Sequence, residues 1–294
     1  MNRYHNSLLF LIFSLVSCIK PVEIDIPTHE PKLVVNSLFL KGRHIEVNLS
    51  YSKHIYDTLT ILGGNGVVEI THNNYTERLK YAGEGKYVTQ RITTSAGEKY
   101  SIKAWLPGLD TVYASDVVPQ KIPFELTNFI PNAGMDEEGY PYSEYEITFK
   151  DPSGVNNYYE IAKYDSFDEE SSWQSGFSSD DPYVLNEGDE QYYYPNILLS
   201  DEMFDGKTVK LRLKSFGSLD NNGVYEPIPI QHIYFRSISE NYYRYKKKLL
   251  RHIDNQYRDL WDGTGNPVLL YTNIENGYGI FAAYAVDSET LNLE

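Results

Sequence analysis

Between Lys32 and Val118 the chain is a string of short runs: KLVVNSLFL, HIEVNLSYS, GVVEITHN, KYVTQRIT, EKYSIKAWL and TVYASDVV. They are rich in Val, Ile, Thr and Tyr, side chains that fit a pleated, half-buried surface, and several alternate apolar with polar residues. GGNG, GEG, AG and PG lie between them and supply positive-φ turn positions. Strands at this spacing, with no helix between them, predict an antiparallel sandwich of immunoglobulin-like or transthyretin-like form. In AGEKYSIKA, Tyr100 stands at a strand start, where a tyrosine corner would hydrogen-bond its hydroxyl back to its own loop.

The prolines of VVPQKIP, Pro119 and Pro123, mark a boundary, with an N-terminal β-sandwich domain over residues 32–120 and a C-terminal one over 121–294. Beyond it YEITFKD, NYYEIAKY, TVKLRLKSF, IQHIYFRSI and GYGIFAAYAV read as further strands. One helix, expected over 238–257, interrupts them. Ser237 and Glu240 have capping-box spacing, and Tyr242, Tyr245, Leu249, Ile253, Tyr257 and Leu260 recur at helical period. Its other face carries Arg244, Lys246, Lys247, Lys248 and Arg251, read as a solvated face or as partners for the protein's own acids. The fold class expected is mainly β: two antiparallel β-sandwich domains, the second carrying one packed α-helix.

The stretch LLFLIFSLVSCIK holds the only cysteine of the 294-residue chain, which rules out an intramolecular disulfide framework and any multi-cysteine metal site. Arg3 and His5 precede an apolar run too short to span a bilayer, and Leu15-Val16-Ser17 precede Cys18. This resembles a bacterial lipoprotein signal. The resemblance implies a signal peptide over 1–17, diacylglycerol on the Cys18 thiol, and a further acyl chain such as palmitate on the new amine. Each buried methylene contributes about 0.8 kcal/mol, so two or three chains anchor durably where one does not. Residues 18–31, with three prolines, read as an extended lipidated tether. Its Glu23 and Asp25 resemble the surface-export signals of lipoproteins of the Bacteroidetes.

Charge is uneven. From Gly134 to Gly206 there are 19 Asp and Glu against two basic residues, Lys150 and Lys163, an imbalance larger than the whole chain's −15. Such a surface repels nucleic acid. Within it, residues 165–195 have neither strand nor helix period. The aromatics Trp173, Phe177, Tyr183, Tyr192, Tyr193 and Tyr194 make this segment the candidate binding loop.

No metal or other cofactor is expected. The nearest approach to a calcium cluster is Asp165, Asp168, Glu169 and Glu170, while DPSGVNN and NEGDEQ lack the alternating acids and closing glutamate of an EF-hand. There is no GxSxG, HExxH, P-loop or GxGxxG, and His44, His54, His72 and His232 are scattered. No catalytic residue is assigned, and an enzyme is not expected. A hydrolase with carboxylates borne on loops is the minor alternative, since sequence does not report how far apart two acids lie.

SISENYYRYKKKLLRH followed by GNPVLLYTNIENGYGIFAAYAV, together with VEIDIPTHEPKLVVNSLF near the start, resembles the Bacteroidetes outer-membrane lipoprotein family catalogued as domain of unknown function 4249. Asn273 to Phe281 is the most specific part. The glycines of that stretch also permit a bend into the last strand. The resemblance implies a lipid-anchored protein of the outer membrane that faces the cell exterior, with a TonB-dependent outer-membrane receptor as partner and an accessory role in uptake. It supplies no catalytic residues and no substrate. A stand-alone adhesin or extracellular scaffold is the alternative.

Overall fold

Along HIEVNLSY, Ile45, Val47 and Leu49 are buried while His44, Glu46, Asn48 and Ser50 face solvent, the period-two pattern of a strand with one face in a core. Each such burial contributes about 1.5–3 kcal/mol. The same logic runs through the molecule. The structure, a computed structural model, describes residues 29–54, 64–168, 171–188, 195–219, 225–257 and 268–293. The expected signal peptide, Cys18 and the tether as far as Thr28 lie outside the described residues.

The first half supplies β1 (Leu33–Leu40), β2 (His44–Tyr51), β3 (Val67–His72), β4 (Tyr75–Arg78), β5 (Lys80–Gly83), β6 (Lys86–Thr93), β7 (Lys99–Trp105) and β8 (Val112–Val117). The second begins with β9 (Phe124–Met135), β10 (Pro141–Lys150), β11 (Tyr158–Ser166) and β12 (Ser172–Ser175). A single turn of helix, α1 (Pro182–Leu185), precedes β13 (Asn196–Ser200) and β14 (Thr208–Phe216). The short pair β15 (Ser218–Leu219) and β16 (Tyr225–Glu226) leads to β17 (Ile230–Ile238), α2 (Glu240–Tyr257) and β18 (Tyr278–Asn292).

The protein is mainly β, with largely antiparallel sheets packed face to face. A nine-stranded sheet runs β12-β11-β17-β18-β1-β2-β6-β5, with β13 also paired to β11. The sheet β4-β3-β7-β8 shares one core with its β1 end, built from residues such as Val35, Val47, Val68, Ile102 and Phe281. The sheet β14-β10-β9 shares a second core with its β11 end, built from Tyr145, Phe149, Tyr159, Leu211 and Phe235 among others.

The strand β18 joins the two. Its first half lies parallel to β1, from Val34 opposite Tyr278 to Leu40 opposite Tyr284, and its second half lies antiparallel to β17. Phe281 and Ala283 face the first core, while Ile280 and Ala282 face α2, so this stretch is buried on both sides. Gly279 makes the approach to β1 possible. Its φ is 101°, and a Cβ there would lie 1.9 Å from the carbonyl oxygen of Val35.

Tyr100 forms the expected corner: fully buried, it accepts the Ser95 N–H at 2.9 Å and donates to the Thr93 carbonyl at 3.2 Å. The helix start differs from the capping-box reading. The helix opens at Glu240 with Ser239 as cap, its Oγ accepting the Tyr242 N–H at 3.2 Å. Ser237 instead accepts the Ile122 N–H at 3.1 Å, tying the stretch between β8 and β9 to β17. The buried face also differs. Tyr242, Tyr243, Tyr245 and Leu250 pack with Leu198, Ile238, Ile280 and Ala282, whereas Ile253 is 42% exposed. Glu160 on β11 and Glu187 just after α1 draw Lys246 and Lys247 into the contact, and an apolar period cannot register basic residues on a packed face. The Tyr257 side chain and Leu260 lie outside the described residues.

Candidate functional site

Much of the acidic segment's charge is answered inside the fold. Glu160, fully buried on β11, accepts from Arg236 at 2.7 Å and from the Tyr242 hydroxyl at 2.8 Å, with Lys246 at 3.7 Å. Glu187 accepts from Lys247 at 2.8 Å, from the Tyr243 hydroxyl, and from the N–H of Ser200 at 2.7 Å. Burial opposes the charge of Glu187, but these three donors hold its carboxyl below the usual carboxylate range. Together the two acids fasten α2 to the sheet.

Asp165 is not a surface calcium ligand. It pairs in the core with Lys163, whose Nζ lies 2.6 Å from one carboxylate oxygen and 2.7 Å from the other. The two side chains are 1% and 3% exposed, and the Ser215 hydroxyl lies 3.1 Å from the ammonium. Positions i and i+2 of a strand share a face, so β11 turns both inward. Burial pushes the Lys163 ammonium below its ordinary pKa, with Asp165 acting against that shift. Asp168 instead caps its own exposed turn, accepting from the Ser171 N–H at 2.9 Å and its hydroxyl at 3.0 Å. Glu169 and Glu170 lie outside the described residues.

The candidate aromatics divide in the same way. Trp173 is 40% exposed on β12, an edge strand, and its ring lies 5.1 Å from that of Phe167, itself 55% exposed. Gln174 ties this edge to the chain ahead of β13 through the Pro195 carbonyl at 2.9 Å. Phe177 is core, not loop surface: it is 1% exposed and packs edge-on against Tyr145 at 5.3 Å. The reciprocal backbone bonds of Ser178 and Lys214, each 2.8 Å, draw this stretch onto β14 and turn Phe177 inward. Tyr183, on α1, is half-buried edge-on against Phe204 at 5.1 Å. Tyr192, Tyr193 and Tyr194 lie outside the described residues. Phe167, absent from the sequence-based candidates, stands directly after the buried Ser166 that ends β11. An apolar residue just beyond a strand's last inward position is the signal that could have found it.

A second group forms where sequence gave no motif. Asp151 follows β10, Asp201 opens a turn of 3₁₀ helix after β13, and Asp205 precedes β14. One carboxylate oxygen from each lies within 4.8 Å of the others. Asp151 accepts from the Tyr159 hydroxyl at 2.5 Å and the Gly206 N–H at 2.8 Å. Asp201 accepts both the N–H and the side-chain amide of Asn157, at 2.7 and 3.2 Å, on Oδ2. Asp205 accepts the Gly154 N–H at 2.8 Å. Burial pushes the Asp201 carboxyl up, and the neighbouring Asp151 and Asp205 push it further against the Asn157 bonds. A depression of about 370 Å³ adjoins the group, walled by Val155, Tyr158, Asp201 and Asp205 among others. An all-oxygen set of this kind suits a hard cation. Asp151 and Asp201 are far apart in the chain, so no local spacing reveals them.

A family model described as Domain of unknown function (DUF4249) matches residues 19–290. Among solved structures the chain is similar to the crystal structure of chicken CNTN1 FN1-FN3 domains, at 13% identity and a TM-score of 0.25. The match covers 69% of this chain and 57% of that one, so this chain spans little more than half of that structure's length. No curated protein matches.

Proposed function

The chain belongs to the family described as Domain of unknown function (DUF4249), and from that premise we propose that it is a non-enzymatic lipoprotein of the outer-membrane surface, an accessory that captures substrate for a TonB-dependent transporter. The observation that carries the reading is the exposed ring pair Phe167 and Trp173 on a sheet edge, within a segment rich in acids. Aromatic rings that are stiff and partly wet anchor protein interfaces, while surrounding charge steers the encounter. The lipobox ending at Cys18 supports the anchor. The residues between Cys18 and β1 span at most about 50 Å when extended, so a body anchored at Cys18 stays beside its membrane neighbours.

The continuous nine-stranded sheet, which would resist bending along the molecule, favours a stand-alone adhesin or scaffold as the second reading. Affinity purification from the native membrane separates the two: a TonB-dependent receptor co-purifies with an accessory protein and not with a free-standing adhesin. Anchoring is tested by metabolic labelling with a palmitate analogue. Wild type takes up label and Cys18→Ala does not; equal labelling of both would remove the lipid anchor from the account.

A further inference from the structure

We propose that Arg236 and Lys246, with the rings of Tyr164 and Tyr234 beside them, form a binding site for a hydroxylated monocarboxylate such as a sugar acid. The other buried ion pairs among the described residues are one to one, Lys163 with Asp165 and Lys247 with Glu187. Glu160 takes two cations: Arg236 at 2.7 Å from one oxygen and Lys246 at 3.7 Å from the other. One positive charge is therefore left over, in a part of the chain whose composition is strongly acidic. Neither cation forms another ion pair among the described residues, and their side chains are only 17% and 22% exposed. A charge held mostly out of water without a counter-charge is costly, and an anion supplies what is missing.

Independent of the charge excess is the state of the carboxylate itself. Glu160 is fully buried, and its Oε1 receives no hydrogen bond. The Lys246 ammonium on that side stands beyond hydrogen-bonding distance. A buried charged oxygen without a donor is costly. Lys246 ends a flexible stem, so a ligand hydroxyl can enter between the two, donating to Oε1 and accepting from the ammonium. Arg236 makes a single hydrogen bond, to Glu160 Oε2, which leaves the rest of its planar fork for a carboxylate.

The sheet face around these groups suits a ring. Glu160 lies opposite Arg236 across β11 and β17, Ala162 lies opposite Tyr234, and Tyr164 follows on the same face of β11. Ala162 offers only a methyl group between Glu160 and Tyr164, while Tyr164 and Tyr234 are half-buried. The Tyr234 ring lies 5.6 Å from the Arg236 guanidinium and 5.6 Å from the Tyr164 ring, which it meets edge-on. Among the described residues neither tyrosine hydroxyl has a hydrogen-bond partner. A sugar acid fits this set: its C–H face packs on a ring, its hydroxyls meet free polar groups, and its carboxylate meets the cations. A single excess charge matches a monoanion, whereas phosphate would bring a second negative charge into acidic surroundings.

The inference needs neither a lipid anchor nor a receptor, so its failure leaves the receptor reading standing. The test uses the full chain, purified in detergent, at low salt, with glucuronate, galacturonate and lactate as probes. At a hundredfold excess over its Kd a bound probe raises Tm by roughly 5 to 10 °C, and calorimetric titration gives the Kd itself. Lys246→Met keeps an apolar stem and leaves Arg236 to answer Glu160; it weakens binding by about tenfold or more, and Lys246→Arg restores most of the loss. Tyr164→Leu, which breaks no ion pair, weakens binding by about threefold or more and keeps the test open should Lys246→Met fail to fold. Lys248→Gln, exposed on α2, binds as wild type does. No shift and no heat with any of the three probes in wild type, or a wild-type Kd in both Lys246→Met and Tyr164→Leu, would overturn the site. Equal binding of glucose would overturn the role of the carboxylate, and equal binding of inorganic phosphate the assignment to a monocarboxylate.

Discussion

Asp165 and Asp168 are three residues apart, both in an acid-rich stretch, yet the fold gives them unrelated duties. Strand alternation sends Asp165 into the core to neutralise Lys163, while Asp168, just past the strand, caps a turn in solvent. Removing one partner of a buried pair leaves an uncompensated charge, so Asp165→Ala is expected to destabilise by about 3–5 kcal/mol. Asp168→Ala removes an exposed cap and is expected to cost about 1 kcal/mol or less. Urea unfolding of both variants checks this. Equal effects would contradict the burial of Lys163. Phe177 teaches the same lesson: an aromatic in an aperiodic segment reads as surface until long-range pairing turns it inward, and the Ser178–Lys214 bridge is not a local signal.

At the scale of the element, α2 is fastened to the sheet by charge as much as by apolar contact. Glu187 is the sharper case because its carboxyl is held below its ordinary range. A carboxyl whose folded pKa is depressed stabilises the fold above its unfolded pKa, about 4.3, and the stabilisation disappears as pH falls through the folded value. Glu187→Gln keeps the shape and loses the charge. Denaturant melts should therefore show wild type more stable than Glu187→Gln by about 1–3 kcal/mol at pH 7, with the gap narrowing as pH falls below about 4. A gap unchanged by acid would assign the contribution to shape alone. Helix existence was legible from the sequence because the period is long and regular. Its facing was not, since Lys246 and Lys247 reach acids distant in sequence, and the nearest capping-box match was two residues off the true cap at Ser239.

At the scale of the whole molecule, the strands that alternate cleanly, such as β2 and β7, were legible because one face of each meets a core. The strand β9 was not, since most of its length is half or fully exposed on an edge and carries no period. Equally hidden was the parallel pairing of β18 with β1, made between strands from opposite ends of the described chain, although the glycine-rich bend before it marked where such a turn would fall. Asp116 on β8 reinforces this junction by accepting the Ala283 N–H at 2.8 Å and the Asn241 amide at 3.0 Å. The exposed rings Phe167 and Trp173 lie toward the other end of the same sheet, on its β12 edge. The central claim, that this edge meets a TonB-dependent receptor, is tested most directly by pull-down of that receptor from native membrane with wild type, Trp173→Ala and Phe167→Ala, each also melted in denaturant. The account predicts receptor with wild type and a loss of at least about tenfold in retention with either variant, as expected for an interface anchor, while the melts stay within about 0.5 kcal/mol of wild type as exposed sites allow. Equal receptor retention by all three proteins, or no receptor with wild type, would contradict it.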